Sequence, residues 1–106
     1  GNSDCMGTEP EALNPWWSIW CVVARVTRKG RKICPEEGLD VMDAVRLYTN
    51  FSAYAGFEEH KKGSLEPGKL ADLVVLSDDP FEIPVDALKD VTVETTIVGG
   101  RTVHEQ

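Results

Sequence analysis

Three kinds of residue in this sequence could do chemistry: three cysteines, two histidines and a few closely spaced carboxylates. The cysteines, Cys5, Cys21 and Cys34, are odd in number and show no C-x-x-C spacing. That favours reduced thiols over a disulfide framework or a zinc ribbon. His60 lies inside a charge run, Glu58-Glu59-His60-Lys61-Lys62, and His104 lies two residues from the end. A metal site needs several converging ligands, so both histidines read as surface residues. Neither Ser-His-Asp nor Cys-His chemistry can be assembled from so few partners. Asp78-Asp79 could be paired carboxylates for acid–base work, but aspartate ahead of Pro80 is a turn signal. Asp4, after Ser3, reads from its immediate neighbours as an exposed terminal carboxylate or a turn former.

The chain that must position these groups has 106 residues, enough for one modest domain with a small core. Eighteen acidic residues against eleven basic ones give a net charge of −7. Phosphate backbones repel such a chain, which argues against nucleic-acid binding. The first residues, Gly1-Asn2-Ser3-Asp4, have neither a basic nor an apolar signal region, and the chain opens without methionine. The longest apolar stretch, Trp16 to Val26, is broken by Ser18 and Arg25 and falls short of the roughly 20 residues of a membrane span. The expectation is a soluble, cytoplasmic chain with no membrane partner.

Local signals give the order of elements. Asn14-Pro15 opens a helix, with the asparagine as cap and proline at the first position. Trp16, Ile19, Trp20 and Val23 share one face, while Trp17, Cys21 and Val22 make the other face apolar too. Such a helix expects burial or a partner, and the tryptophans read as packing residues before they read as stacking platforms for a substrate. The basic cluster Arg25–Lys32 is expected to end this helix, with Gly30 as its stop; a solvated helix end is favoured there over an anion site. Pro35–Gly38 is a turn. Asp40 should cap a helix over 41–48, with Asp43 acting as a short-armed capping-box acid. Thr49 or Asn50 starts a second short helix that Gly56 stops. Pro67-Gly68 has type II turn chemistry. Ala71–Leu76 then reads as a strand buried on both faces. After a polar turn at Ser77–Pro80 and one or two helical turns from Pro84, residues 91–98 alternate as a half-buried strand. Gly99-Gly100 returns it as a hairpin.

Three segments carry a family resemblance. K-G-S-L-E-P-G-K-L-A-D-L-V-V-L (residues 62–76) resembles the segment with which metal-dependent hydrolases of the amidohydrolase superfamily leave their catalytic barrel and return to a small β-sandwich. T-I-V-G-G-R-T-V (residues 96–103) resembles the family's closing hairpin, with His104 standing where an aromatic is more usual. N-P-W-W-S-I (residues 14–19) is similar to the helix that follows the barrel's last strand. T-N-F-S-A-Y-A (residues 49–55) and D-D-P (residues 78–80) fit in between. The nearest branch is amidohydrolase family 3, whose members hydrolyse amide-type C–N bonds. By this resemblance Asp4 matches an aspartate that binds the catalytic metal and accepts a proton as metal-bound water attacks the carbonyl. The implied cofactor is one or two divalent ions, zinc foremost, in the parent enzyme. The histidine ligands belong to strands outside this chain, so none is expected to bind here.

The resemblance implies an α+β chain: helices from the end of an incomplete (β/α)8 barrel, residues 1–62, then a small mostly antiparallel sheet from a composite β-sandwich, residues 63–106. A complete barrel needs roughly 200 residues or more. The function implied is therefore the C-terminal portion of a metal-dependent amidohydrolase, inactive as an isolated chain. Two other readings stand beside it: a non-catalytic module that oligomerises, or one chain of a split hydrolase. The expected partner is accordingly a second copy or the remainder of the enzyme.

Overall fold

The computed structural model describes residues 10–106. Helices and a small sheet follow one another, as expected. A short 3-10 turn, Pro10–Leu13, leads into α1, Pro15–Ala24. Asn14 caps α1: its side-chain oxygen accepts from the Trp16 N–H at 3.0 Å. Helix α2 is Val41–Tyr48 and α3 is Asn50–Ala55. Asp40 caps α2 by accepting from the Asp43 N–H at 2.7 Å. The return half of the capping box does not form, because the Asp43 carboxylate turns to Arg46 at 2.9 Å. Aspartate is one methylene too short to do both.

The sheet has three antiparallel strands in the order β1 (Leu73–Leu76), β2 (Val93–Val98), β3 (Arg101–Glu105). Leu73 faces Ile97 and Val74 faces Thr96, with the register shifting between Val75 and Leu76. Gly99 and Gly100 have φ of 55° and 77°, the positive pair that a two-residue type I′ hairpin turn demands. Asp72 holds this turn to the start of β1, its Oδ1 accepting from the Gly99 N–H at 2.7 Å.

The expectation of a buried central strand at 71–76 is corrected. It is a strand, but an edge one. Among the described residues its only hydrogen-bonded neighbour is β2, and of its own residues only Leu76 packs against the helical core. Val74 and Val75 consequently remain 48% and 44% exposed. The central strand is β2, and it begins at Val93 because Val91 is instead taken into the core.

That core lies between helices. Trp16, Ile19 and Trp20 of α1 meet Ala44 of α2 on one side and Leu88 and Val91 on the other. Leu88 belongs to a 3-10 segment, Val85–Asp90, in the long connection from β1 to β2. The face Trp16/Ile19/Trp20 is thus the one read from helical spacing, and Trp17, Cys21 and Val22 are half-buried around it.

Two helix ends depart from expectation. Helix α1 stops at Ala24, not at Gly30: Arg25 takes a left-handed conformation, φ 54°, and donates its N–H to the Cys21 carbonyl. The chain then reverses through an antiparallel bridge, Val26 to Lys32, so the basic cluster is a hairpin and not a helix end. At α3, Gly56 is the last ordinary residue, φ −89°, and Phe57 takes the left-handed position, φ 58°. Glu58 N–H donates to the Ala53 carbonyl at 2.9 Å and Phe57 N–H to Tyr54 at 3.0 Å, the paired bonds of a Schellman ending. A residue with a Cβ in this conformation costs about 1–2 kcal/mol. Phe57 is 89% exposed and gains no packing to offset it. Phe57→Gly should therefore stabilise the chain by ~0.5–1 kcal/mol after glycine's larger unfolded-state entropy is deducted. A thermal melt should move up by several degrees; an unchanged or lower midpoint would contradict the assignment of strain.

Candidate functional site

Asp4, the one residue matched to catalysis, and Cys5 lie outside the described residues. The other candidates are placed, and they are scattered. His60 is a surface residue, its side chain 87% exposed and its Nε2 3.7 Å from the neighbouring Glu59 carboxylate. His104 sits on β3, opposite Thr96 and exposed to solvent. Asp78 and Asp79 serve the turn. Asp78 accepts from the Ser77 hydroxyl at 2.9 Å, and Asp79 from the Phe81 N–H at 2.9 Å. Cys21 is half-buried, which pushes its thiol pKa upward, and Cys34 is exposed; both are free thiols. Among the described residues no group of three or more His, Cys, Asp or Glu side chains converges. The described residues by themselves do not fit a metal ion.

What the fold does assemble is a cleft of about 630 Å³ where the helices face the sheet. Trp16 and Ile19 of α1, Tyr48 of α2, Leu65, Val74 of β1 and Phe81 line it. Its walls are mostly apolar, with Asp72 the one charged residue among those lining it, so it is suited to packing against apolar groups. One wall is built by Gly63, φ 94°. A Cβ placed there would lie 2.7 Å from the Ala53 Cβ and 3.2 Å from the Thr49 carbonyl oxygen. Lys69 stiffens the neighbouring turn, donating from Nζ to the Ser64 hydroxyl at 2.7 Å. The type II turn itself is as read from Pro67-Gly68: Gly68 has φ 94° and Lys69 N–H donates to the Glu66 carbonyl. Sequence reasoning missed the Asp72 lock on the Gly99 turn. The two lie 27 positions apart, and spacing carries no signal of that contact.

The sequence model of the amidohydrolase family matches residues 1–104. The chain belongs to the amidohydrolase family. Over 88 residues this amidohydrolase chain is 35% identical to the N-substituted formamide deformylase of Arthrobacter pascens, an alignment covering 83% of the chain and 16% of that protein. It is 38% identical over 95 residues to the protein LONG AFTER FAR-RED 3 of Arabidopsis thaliana, covering 87% of the chain and again 16% of the relative. The crystal structure of an amidohydrolase from Thermotoga maritima MSB8 superposes with a TM-score of 0.55 at 32% identity, over 67% of this chain and 17% of that one. The amidohydrolase chain thus spans less than a fifth of the length of these relatives. Enzymes of the family generally use a divalent metal. No helix among the described residues is long and apolar enough to cross a membrane.

Proposed function

We propose that this chain is the C-terminal portion of a family 3-like amidohydrolase that cleaves non-peptide C–N bonds, and that it is inactive alone. Residues 1–62 would be the end of the catalytic barrel and residues 63–106 the return to a composite sandwich. The observation that carries this reading is an incomplete interior. Among the described residues seven hydrophobic side chains are buried, while fifteen large ones are exposed. The exposed set includes Val74 and Val75 on the unpaired edge of β1, and Phe51, Tyr54 and Phe57 along and just after α3. Surfaces of this kind call for cover. The match to under a fifth of each relative supplies what would cover them. Asp4 would hold the metal, which when bound would polarise the scissile carbonyl and activate water. Zinc is the metal proposed.

The test uses N-substituted formamides, the substrate class named for the Arthrobacter relative. The purified 106-residue chain should release no amine and hold no stoichiometric zinc by elemental analysis. The longer polypeptide that carries it should do both, and Asp4→Asn there should remove metal and activity together. Amide cleavage by the short chain, with one zinc bound, would overturn the proposal.

The same exposed faces favour a second reading, self-association of a non-catalytic module. Sedimentation of the chain as a defined oligomer, with no hydrolase activity in any longer product, would select it. Co-purification of a larger histidine-rich chain would instead select a split enzyme.

A further inference from the structure

The basic hairpin stands beside a second, smaller cleft. Five of the chain's eleven basic residues fall within Arg25–Lys32, and no acid does, in a chain of net charge −7. The hairpin is a built turn: Gly30 N–H donates to the Thr27 carbonyl at 2.9 Å, and Arg31 N–H to the Thr27 hydroxyl at 3.1 Å. Beside it lies a cleft of about 540 Å³ lined by Glu11, Trp17, Trp20, Arg28, Asp86 and Lys89 among others. Trp17 and Trp20 form one wall, their ring centroids 5.1 Å apart and their planes tilted by 48°.

The polar groups around that wall are not equivalent. Glu11 pairs with Arg28 at 3.2 Å, and Arg28 lies 6.0 Å from the Trp17 centroid. The Asp86 carboxylate accepts from the Trp20 indole N–H at 3.5 Å. Glu11 is thus ion-paired, while Asp86 keeps its charge and is oriented by the indole. Lys89 Nζ is held 5.1 Å above the Trp20 ring, and no carboxylate among the described residues pairs with it. An ammonium over an indole with no carboxylate in ion-pair range, in a cleft that Arg28 also lines and whose hairpin carries Lys29, Arg31 and Lys32 in sequence, offers an anion a charged contact above an aromatic face.

We propose that this cleft binds a small organic anion with a flat apolar body, an aromatic carboxylate being the simplest. The ring lies against Trp17, where the indole offers a rigid apolar surface. The carboxylate takes a charge-assisted hydrogen bond from Lys89, and the hairpin cations raise the local concentration of anions. The site needs no metal and no catalytic residue, so it is independent of the hydrolase reading.

The test titrates the chain with 1-naphthoate and with its neutral amide, 1-naphthamide, and follows the indole N–H resonances by NMR. At low salt the naphthoate should bind saturably and about tenfold more tightly, the size of one charge-assisted hydrogen bond. Lys89→Gln should abolish that preference, Trp17→Leu should weaken both ligands, and added salt should weaken naphthoate alone. Equal affinity for the amide would overturn the proposal, as would a preference that survives Lys89→Gln. Binding that survives both substitutions would place the ligand in the larger apolar cleft and overturn it too. So would no saturable binding.

Discussion

Leu88→Ala is expected to remove most of the chain's cooperative unfolding. Leu88 is fully buried, and it packs with Val91 on the Trp16/Ile19/Trp20 face of α1. Deleting a buried leucine costs about 2–5 kcal/mol, through lost transfer energy plus the cavity left behind. A domain of this size has about 5–15 kcal/mol to lose. Here the low end applies, because only seven hydrophobic side chains among the described residues are buried. The loss is also poorly absorbed. Leu88 stands on a 3-10 segment, whose weaker hydrogen-bond geometry gives the backbone little to hold it once the anchor is gone. In a thermal melt followed by near-UV circular dichroism, the tryptophan signal should broaden and shift down by ten degrees or more. Val98→Ala, at an exposed position on β2, should change stability by under about 0.5 kcal/mol. Similar effects for the two substitutions would mean that the 3-10 segment is not part of the core.

The helices were legible because their signals are local. Asn14-Pro15 and Asp40 fix helix starts through bonds within three residues, and both caps form. The apolar spacing of Trp16, Ile19 and Trp20 names the face that is buried. The hairpin was legible for the same reason, since Gly99-Gly100 specifies its turn by itself. Burial of β1 was not legible. Leu73-Val74-Val75-Leu76 has the composition of a strand covered on both faces, and composition records what the strand is built to meet, not what this chain brings to it. The left-handed residues Arg25 and Phe57 were hidden because glycine stood nearby in each case and drew the assignment. As for catalysis, the residue that the family pattern points to, Asp4, falls outside the described residues. The role proposed for it is carried by the sequence resemblance alone.

Gly63→Ala is the second change expected to be severe, and two separable costs make it so. Gly63 has φ 94°, and an L-residue there is strained by about 1–2 kcal/mol. The added methyl also meets the Ala53 Cβ at 2.7 Å, the Thr49 carbonyl oxygen at 3.2 Å and the Asn50 Cα at 3.3 Å. None of these is the end of a flexible side chain, and overpacking of this kind costs about 1–3 kcal/mol. The sum, about 2–5 kcal/mol, falls on the contact that seats α3 against the chain leading to β1, where Leu70 N–H also reaches the Lys61 carbonyl at 2.8 Å. The two costs can be told apart by pairing the change with Ala53→Gly. Alone, that substitution should destabilise by about 1 kcal/mol, as glycine does inside a helix. In the Gly63→Ala background it should cost less, or even restore stability, because it removes the nearest clash; the backbone strain would remain. Coupling between contacting sites of this kind is about 0.5–3 kcal/mol. Strict additivity of the two substitutions in denaturant unfolding would show that the methyl finds room. The close approach of Gly63 to α3 would then have no part in seating that helix against the chain leading to β1.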